Sequence, residues 1–232
     1  MRKPLTVLFI ASLAFGLVVP VVAYGKFHVM TAIGLTAGVW VILSSLYEPL
    51  QRLRLKQSIS RGVLGMTVAH IGVGLFAIGV TVTQTYRVEK DIALRPGDSV
   101  TLQGYDFLFK STKQVQGPNY DAIESEVVIT RGGKEVATLH PQKRVYRVQR
   151  SPMTEAGIHV KWNRDLFVAM GEDLGDGAWS VRLQYKPMVR YIWLGALIMA
   201  IGGIVAVTDR RYRTRRVTED AAVPGAGTAR AG

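Results

Sequence analysis

The chain has 232 residues, 48% of them hydrophobic, a formal net charge of +12 and no cysteine. The missing thiols exclude disulfides, thiol chemistry and Cys-ligated metal, so any exported domain must be held by its own core. The charge does not point to nucleic acid. Residues 86–186 carry about 15 Lys/Arg against 13 Asp/Glu, and most of the excess lies in Arg2-Lys3, in Arg52, Arg54, Lys56 and Arg61, and in the run Arg210–Arg216.

Four apolar stretches are long enough to cross a bilayer as helices: Leu5–Ala23, Val29–Leu46, Val63–Val82 and Tyr191–Val207. The first follows Arg2 and Lys3 like a signal peptide. It lacks a small-residue cleavage site and has Pro20 near its end, which favours a retained anchor. Four crossings place the three basic segments on one side, and the positive-inside rule makes that side the cytoplasm, with both termini there. The intervening polar stretch is then exported. Tyr24, Tyr47, Tyr86, Tyr191, Trp193 and Tyr212 fall at span ends as an interfacial aromatic belt. The tail after Arg216, rich in Ala, Gly and Thr, has the composition of an unstructured segment. The basic tail also suits a supplementary contact with membrane lipid.

The exported stretch reads as β structure. Two strands are expected around Gly104 in Ser99–Thr112, and a hairpin around Arg131-Gly132-Gly133-Lys134, where Gly-Gly suits a tight turn. Further strands are expected at Arg147–Arg150, Leu166–Met170 and Trp179–Tyr185, with a turn at Gly175-Asp176-Gly177 and loops at Gly117-Pro118-Asn119 and Ser151-Pro152-Met153. The expected architecture is a membrane α-helical protein of about four spans, with one small all-β domain before the last helix. Its divisions are 1–85 (three helices), 86–187 (exported β domain), 188–209 (last helix) and 210–232 (basic, disordered tail).

His70 is the one ionisable residue inside the third span, VLGMTVAHIGVGLFAIGVTV. An ionisable ring in hydrocarbon is costly, so it serves either as a ligand or proton relay or as a hydrogen-bond partner packed against another helix. Gly65, Gly72 and Gly79 recur at seven-residue spacing and suit close helix packing, as do Gly195, Gly202 and Gly203 in the last span. Gly74 and Ala77 leave room beside His70 for a flat macrocycle or for a neighbouring helix. His28, His140 and His159 are isolated, and no metal-site spacing, nucleophile elbow or P-loop is present. Lys143, Arg144, Tyr146, Arg147 and Arg150 form a basic patch, suited either to a solvated strand face or to carboxylates such as haem propionates.

The blocks PQKRVYRVQR (Pro141–Arg150), SPMTEAGI, the run from Arg164 to Arg213 and GMTVAHIGVGLFAIGV around His70 resemble the carboxy-terminal end of the CcmF family. These are the membrane components of haem ligation in system I cytochrome c maturation. The resemblance covers nearly the whole chain. It implies covalent haem attachment to apocytochrome c, haem received from the chaperone CcmE, and partners such as CcmH and CcmI. It also implies a transmembrane b haem with His70 as one axial ligand, quinol as a candidate electron source, and a bacterial inner-membrane location with residues 86–187 periplasmic. Family members carry upstream a tryptophan-rich haem-recognition segment and further histidines, including the second axial ligand. Here Trp40, Trp162, Trp179 and Trp193 are scattered. The chain thus matches the carboxy-terminal portion, and a partner carrying the amino-terminal CcmF half is expected to be required for haem-lyase activity. The alternative is a non-catalytic membrane scaffold that docks CcmH or the apocytochrome, with His70 only packing between helices.

Overall fold

The structure, a computed structural model, describes residues 2–148 and 150–209, the side chains of Arg2 and Lys3 excepted. The basic tail, Gln149 and Tyr212 lie outside the described residues. The chain divides into two compact units, residues 1–78 with 192–232 and residues 79–191.

In the first unit, α1 (Arg2–Tyr24), α2 (Val29–Arg54), most of α3 (Arg61–Tyr86) and most of α4 (Val189–Val207) are each long and apolar enough to cross a membrane. Their ends are chemically marked. Gly25 (φ +65°) stops α1, its N–H donating to the Val21 carbonyl at 3.0 Å, because glycine enters the left-handed region without steric cost. The orphan donors at the start of α3 are met by side chains. The Ser60 hydroxyl accepts from the Val63 N–H (3.3 Å), and the Asp209 carboxylate accepts from the Gly62 N–H at 2.6 Å, where a negative charge suits the helix N-terminus. Helices α2 and α3 extend past their apolar runs, to Arg54 and Tyr86, and α2 does so through Pro49, whose missing N–H leaves one bond of the backbone ladder unmade.

Small residues set the helix packing. A Cβ placed on Gly72 would fall 2.6 Å from both the Gly195 carbonyl oxygen and the Met199 nitrogen, so α3 and α4 meet backbone to backbone. Gly65 faces Gly202 and Ala206 in the same seam. Gly203 was expected to share that role, but nothing lies within 4 Å of its Cβ position; it points away from the seam. Between α1 and α2, the Phe9 and Trp40 rings meet edge to face at 5.4 Å.

In the second unit, residues 88–187 form two packed sheets. One runs β1 (Val88–Leu94), β10 (Ala178–Pro187), β9 (Arg164–Gly175), β8 (Gly157–Val160), all antiparallel. The other runs β2 (Ser99–Leu102), β3 (Tyr105–Gln116), β4 (Tyr120–Arg131), β6 (Gln142–Tyr146), β7 (Pro152–Glu155), with β5 (Lys134–Leu139) paired to the second half of β4. Alternate residues of both sheets fill one core: Phe107, Phe109, Val127 and Ile129 from one, Leu166, Val168, Val181 and Leu183 from the other. Each such side chain contributes about 1.5–3 kcal/mol of burial free energy. The β2–β3 turn at Gly104 and the β4–β5 hairpin at Gly132-Gly133 fall where the turn chemistry placed them.

Two local expectations fail. Arg147 and Val148 form a turn rather than a strand; the strand there is β6, ending at Tyr146. Pro152 and Met153 open a strand rather than a loop. Strand β7 is the edge of its sheet, and proline is tolerated at the first residue of an edge strand because its missing N–H leaves no ladder bond unmade.

Candidate functional site

His70 lies on α3 and is exposed. Its Nδ1 is 2.8 Å from the Met66 carbonyl oxygen one turn earlier. A carbonyl only accepts, so Nδ1 carries the proton, and among the described residues Nε2 has no hydrogen-bond partner. This is the arrangement that prepares a neutral imidazole for a metal: one nitrogen fixed by a backbone acceptor, the other available.

The face around His70 is defined by what covers the rest of α3. Gly65 and Gly72 meet α4. Thr67 donates toward the Ser45 carbonyl of α2 at 3.4 Å, and a Cβ on Gly74 would fall 2.6 Å from the Gly38 carbonyl of α2. Between those seams runs a stripe at helical spacing, Met66, His70, Val73 and Ala77, in which Met66 and Val73 are each 41% exposed. Gly74 therefore does not open space beside the ring. It is the residue that lets α2 approach, and the room left for a flat ligand is on the Met66–Ala77 stripe.

No other group of ligand-type residues converges among the described residues. His28 is exposed at the N-cap of α2, and His140 is 3.8 Å from the Glu124 carboxylate. In the basic patch, Lys143 pairs with Glu172 (2.9 Å), Arg144 with Glu155 (3.3 Å) and Arg147 with Asp121 (3.1 Å), and the Arg144 guanidinium lies over the Tyr120 ring. Lys143 and Arg144 are consecutive on β6 and half-buried, Arg147 lies in the turn that follows, and Arg150 is exposed, so the patch is tied to carboxylates rather than gathered on one strand face.

One cluster was not legible beforehand. Arg164, only 2% exposed, donates through Nε to the Tyr105 hydroxyl (3.0 Å) and through a terminal nitrogen to His159 Nδ1 (2.9 Å). Arg131 donates to the same hydroxyl at 3.0 Å, and both guanidinium groups lie within 4.8 Å of the Tyr105 ring centroid. The cluster ties β3 and β4 of one sheet to β9 of the other. Burial, then the neighbouring Arg164 and Lys161, hold the His159 imidazole below its ordinary 6.5, and burial pushes the Tyr185 phenol up.

Because a guanidinium only donates, His159 Nδ1 must stay unprotonated in the folded state. The folded protein then binds that proton more weakly than the unfolded chain. Stability is full above the unfolded pKa near 6.5 and declines as pH falls through the folded value. The thermal midpoint of the β domain, followed by near-ultraviolet dichroism of the whole chain in detergent, should fall between about pH 7 and pH 5. His159→Gln, which keeps an acceptor but cannot titrate, should flatten that decline. An equal decline in the variant would show that His159 is not its source. Glu124, held down first by its hydrogen bond from Lys113, and Glu126, held down first by Lys110, lose their contribution as they protonate at lower pH still.

A helical, multi-pass membrane protein with a β-sandwich inserted before its last helix, and one outward-facing histidine in a span, is the class that fold and site define. Residues 85–187 match the family model described as the CcmF C-terminal beta-sandwich. The chain is 43% identical over 213 residues to cytochrome c-type biogenesis protein CcmF of Pseudomonas aeruginosa, an alignment covering 88% of this chain and 32% of that protein. It is 39% identical over 214 residues to CcmF of Escherichia coli, covering 92% and 33%. A solved structure titled cytochrome c heme lyase CcmF superposes with a TM-score of 0.75 at 18% identity, over 90% of this chain and 35% of that one, and so supports the fold. The chain belongs to the CcmF family and corresponds to its carboxy-terminal part. It spans about a third of the length of these relatives.

Proposed function

We propose that this chain is the carboxy-terminal part of a cytochrome c haem-ligation machine, with His70 as one axial ligand of a b haem in the membrane. The observation that carries the reading is the His70 ring itself: exposed on a face of α3 left open by α2 and α4, with Nδ1–H held by the Met66 carbonyl and Nε2 free. A carbonyl-fixed imidazole suits iron, since the hydrogen bond sets the ring orientation and raises ligand basicity. When bound, a b haem supplies electrons that keep the haem being ligated reduced. This chain's own residues do the rest. Met66 holds the ring, Val73 and Ala77 border it with apolar surface, and the Gly72–Gly195 and Gly74–Gly38 contacts fix the helix that carries it.

The second ligand and haem recognition are then supplied by an amino-terminal CcmF half. In this reading CcmE delivers haem, CcmH and CcmI present apocytochrome c, and quinol is the electron donor. The distribution of basic segments supports a bacterial inner-membrane location with both termini in the cytoplasm and the sandwich in the periplasm. Co-producing this chain with an amino-terminal CcmF half in a strain lacking CcmF should give a purifiable complex with a b-type reduced spectrum and restore holocytochrome c. Neither half alone should do so. A complex that never forms, or forms and restores nothing, overturns the reading.

A further inference from the structure

We infer that the turn between β8 and β9, Lys161-Trp162-Asn163, is a lipid-contact element that seats Trp162 in the headgroup layer beside the entry of α4. Trp162 is 69% exposed, the most exposed aromatic of the sandwich. It follows β8 directly: Ile158 (49% exposed) and Val160 (40%) alternate with Gly157 and His159 and so share one face, and Trp162 lies in the turn just beyond them. A single exposed apolar residue needs no explanation, but two on one strand face leading to an exposed tryptophan in the adjoining turn have the form of a contact surface.

What that surface meets follows from where the chain holds it. The Asn163 carbonyl accepts from the Met188 N–H at 3.2 Å, and Val189, the next residue, begins α4. The Thr83 hydroxyl near the end of α3 donates to the Pro187 carbonyl at 2.7 Å. The Trp162 turn is therefore tied to the level at which the chain passes between sandwich and span, where Tyr86 and Tyr191 also sit. Around it are cations: Lys161 is exposed, the Lys186 ammonium lies 4.9 Å over the Phe167 ring, and Arg190 sits 3.9 Å from Asp165. Indole beside lysine and arginine at a span entrance suits lipid headgroups on two counts. The ring is apolar with one N–H donor, and the cations complement phosphates.

The absence of cysteine makes the test direct. Trp162→Cys, Ile158→Cys and Val148→Cys, each carrying one nitroxide, are placed in the whole chain reconstituted into phosphatidylethanolamine–phosphatidylglycerol vesicles. Val148 is 93% exposed and follows Tyr146, which pairs with Tyr120 at the end of β4 away from Arg131 and the Arg164 cluster, so it serves as the aqueous reference. Collision with oxygen relative to a water-soluble nickel chelate should be several-fold higher at 162 than at 148, with 158 between them, roughly 13 Å up the strand at strand rise. Omitting phosphatidylglycerol, or introducing Lys161→Gln with Lys186→Gln, should lower the ratio at 162. A ratio at 162 equal to that at 148 overturns the assignment. So does a label shielded from both reagents, which would make the occupant a second copy or another protein.

Discussion

His70→Ala, in a complex with an amino-terminal CcmF half, should lose its b-type absorbance while this chain remains folded and assembled. The size of the loss follows from the ring's role. Removing a partner that merely orients a ligand costs about 10–100-fold in metal affinity, so deleting the ligand itself should exceed about 100-fold. The folding cost should be small. His70 is exposed, its only hydrogen bond among the described residues is to Met66 of its own helix, and alanine is the better helix former. A change within about 0.5 kcal/mol is expected. Added imidazole should restore part of the signal to the alanine variant, an outcome a packing role for His70 does not produce. If b haem and holocytochrome c persist unchanged in His70→Ala, the ligand lies elsewhere and the chain is a scaffold.

Which parts of this molecule were legible in its sequence depended on how local their cause was. Spans are set by length and apolarity, so four were countable, and the hairpins at Gly104 and Gly132-Gly133 were fixed by glycines entering positive φ. His70 announced itself as one titratable ring in twenty apolar residues. The direction of each glycine was not legible, because periodicity gives a stripe without naming the neighbour that meets it. Gly74 faces α2, Gly72 faces α4 and Gly203 faces neither. The Arg164 cluster was hidden for the same reason, since Tyr105 lies 59 residues away and only the pairing of two sheets joins them. Proline read as a loop at Pro152 because its meaning depends on whether the strand is an edge, which is a property of the whole sheet.

Gly202 and Gly203 turn that point into the sharpest mechanical prediction the fold offers. They are adjacent, identical and equally central in α4, so any substitution gives both the same gain in helix propensity. At Gly202 a Cβ has nowhere to go: Ala69 and the Gly65 carbonyl, backbone of α3, already occupy the space. At Gly203 nothing lies within 4 Å. Gly202→Leu must therefore push α4 off α3, at the roughly 1–3 kcal/mol typical of overpacking, or more where the obstruction is backbone that cannot rotate aside. Gly203→Leu should change stability by no more than about 0.5 kcal/mol. Unfolding by increasing dodecyl sulfate, followed by far-ultraviolet dichroism at the helical minimum, should separate the two variants clearly. Equal midpoints would mean that α3 and α4 do not meet through this seam. Because the same seam holds the helix that presents His70, Gly202→Leu should also weaken b haem in the assembled complex, whereas Gly203→Leu should leave it intact.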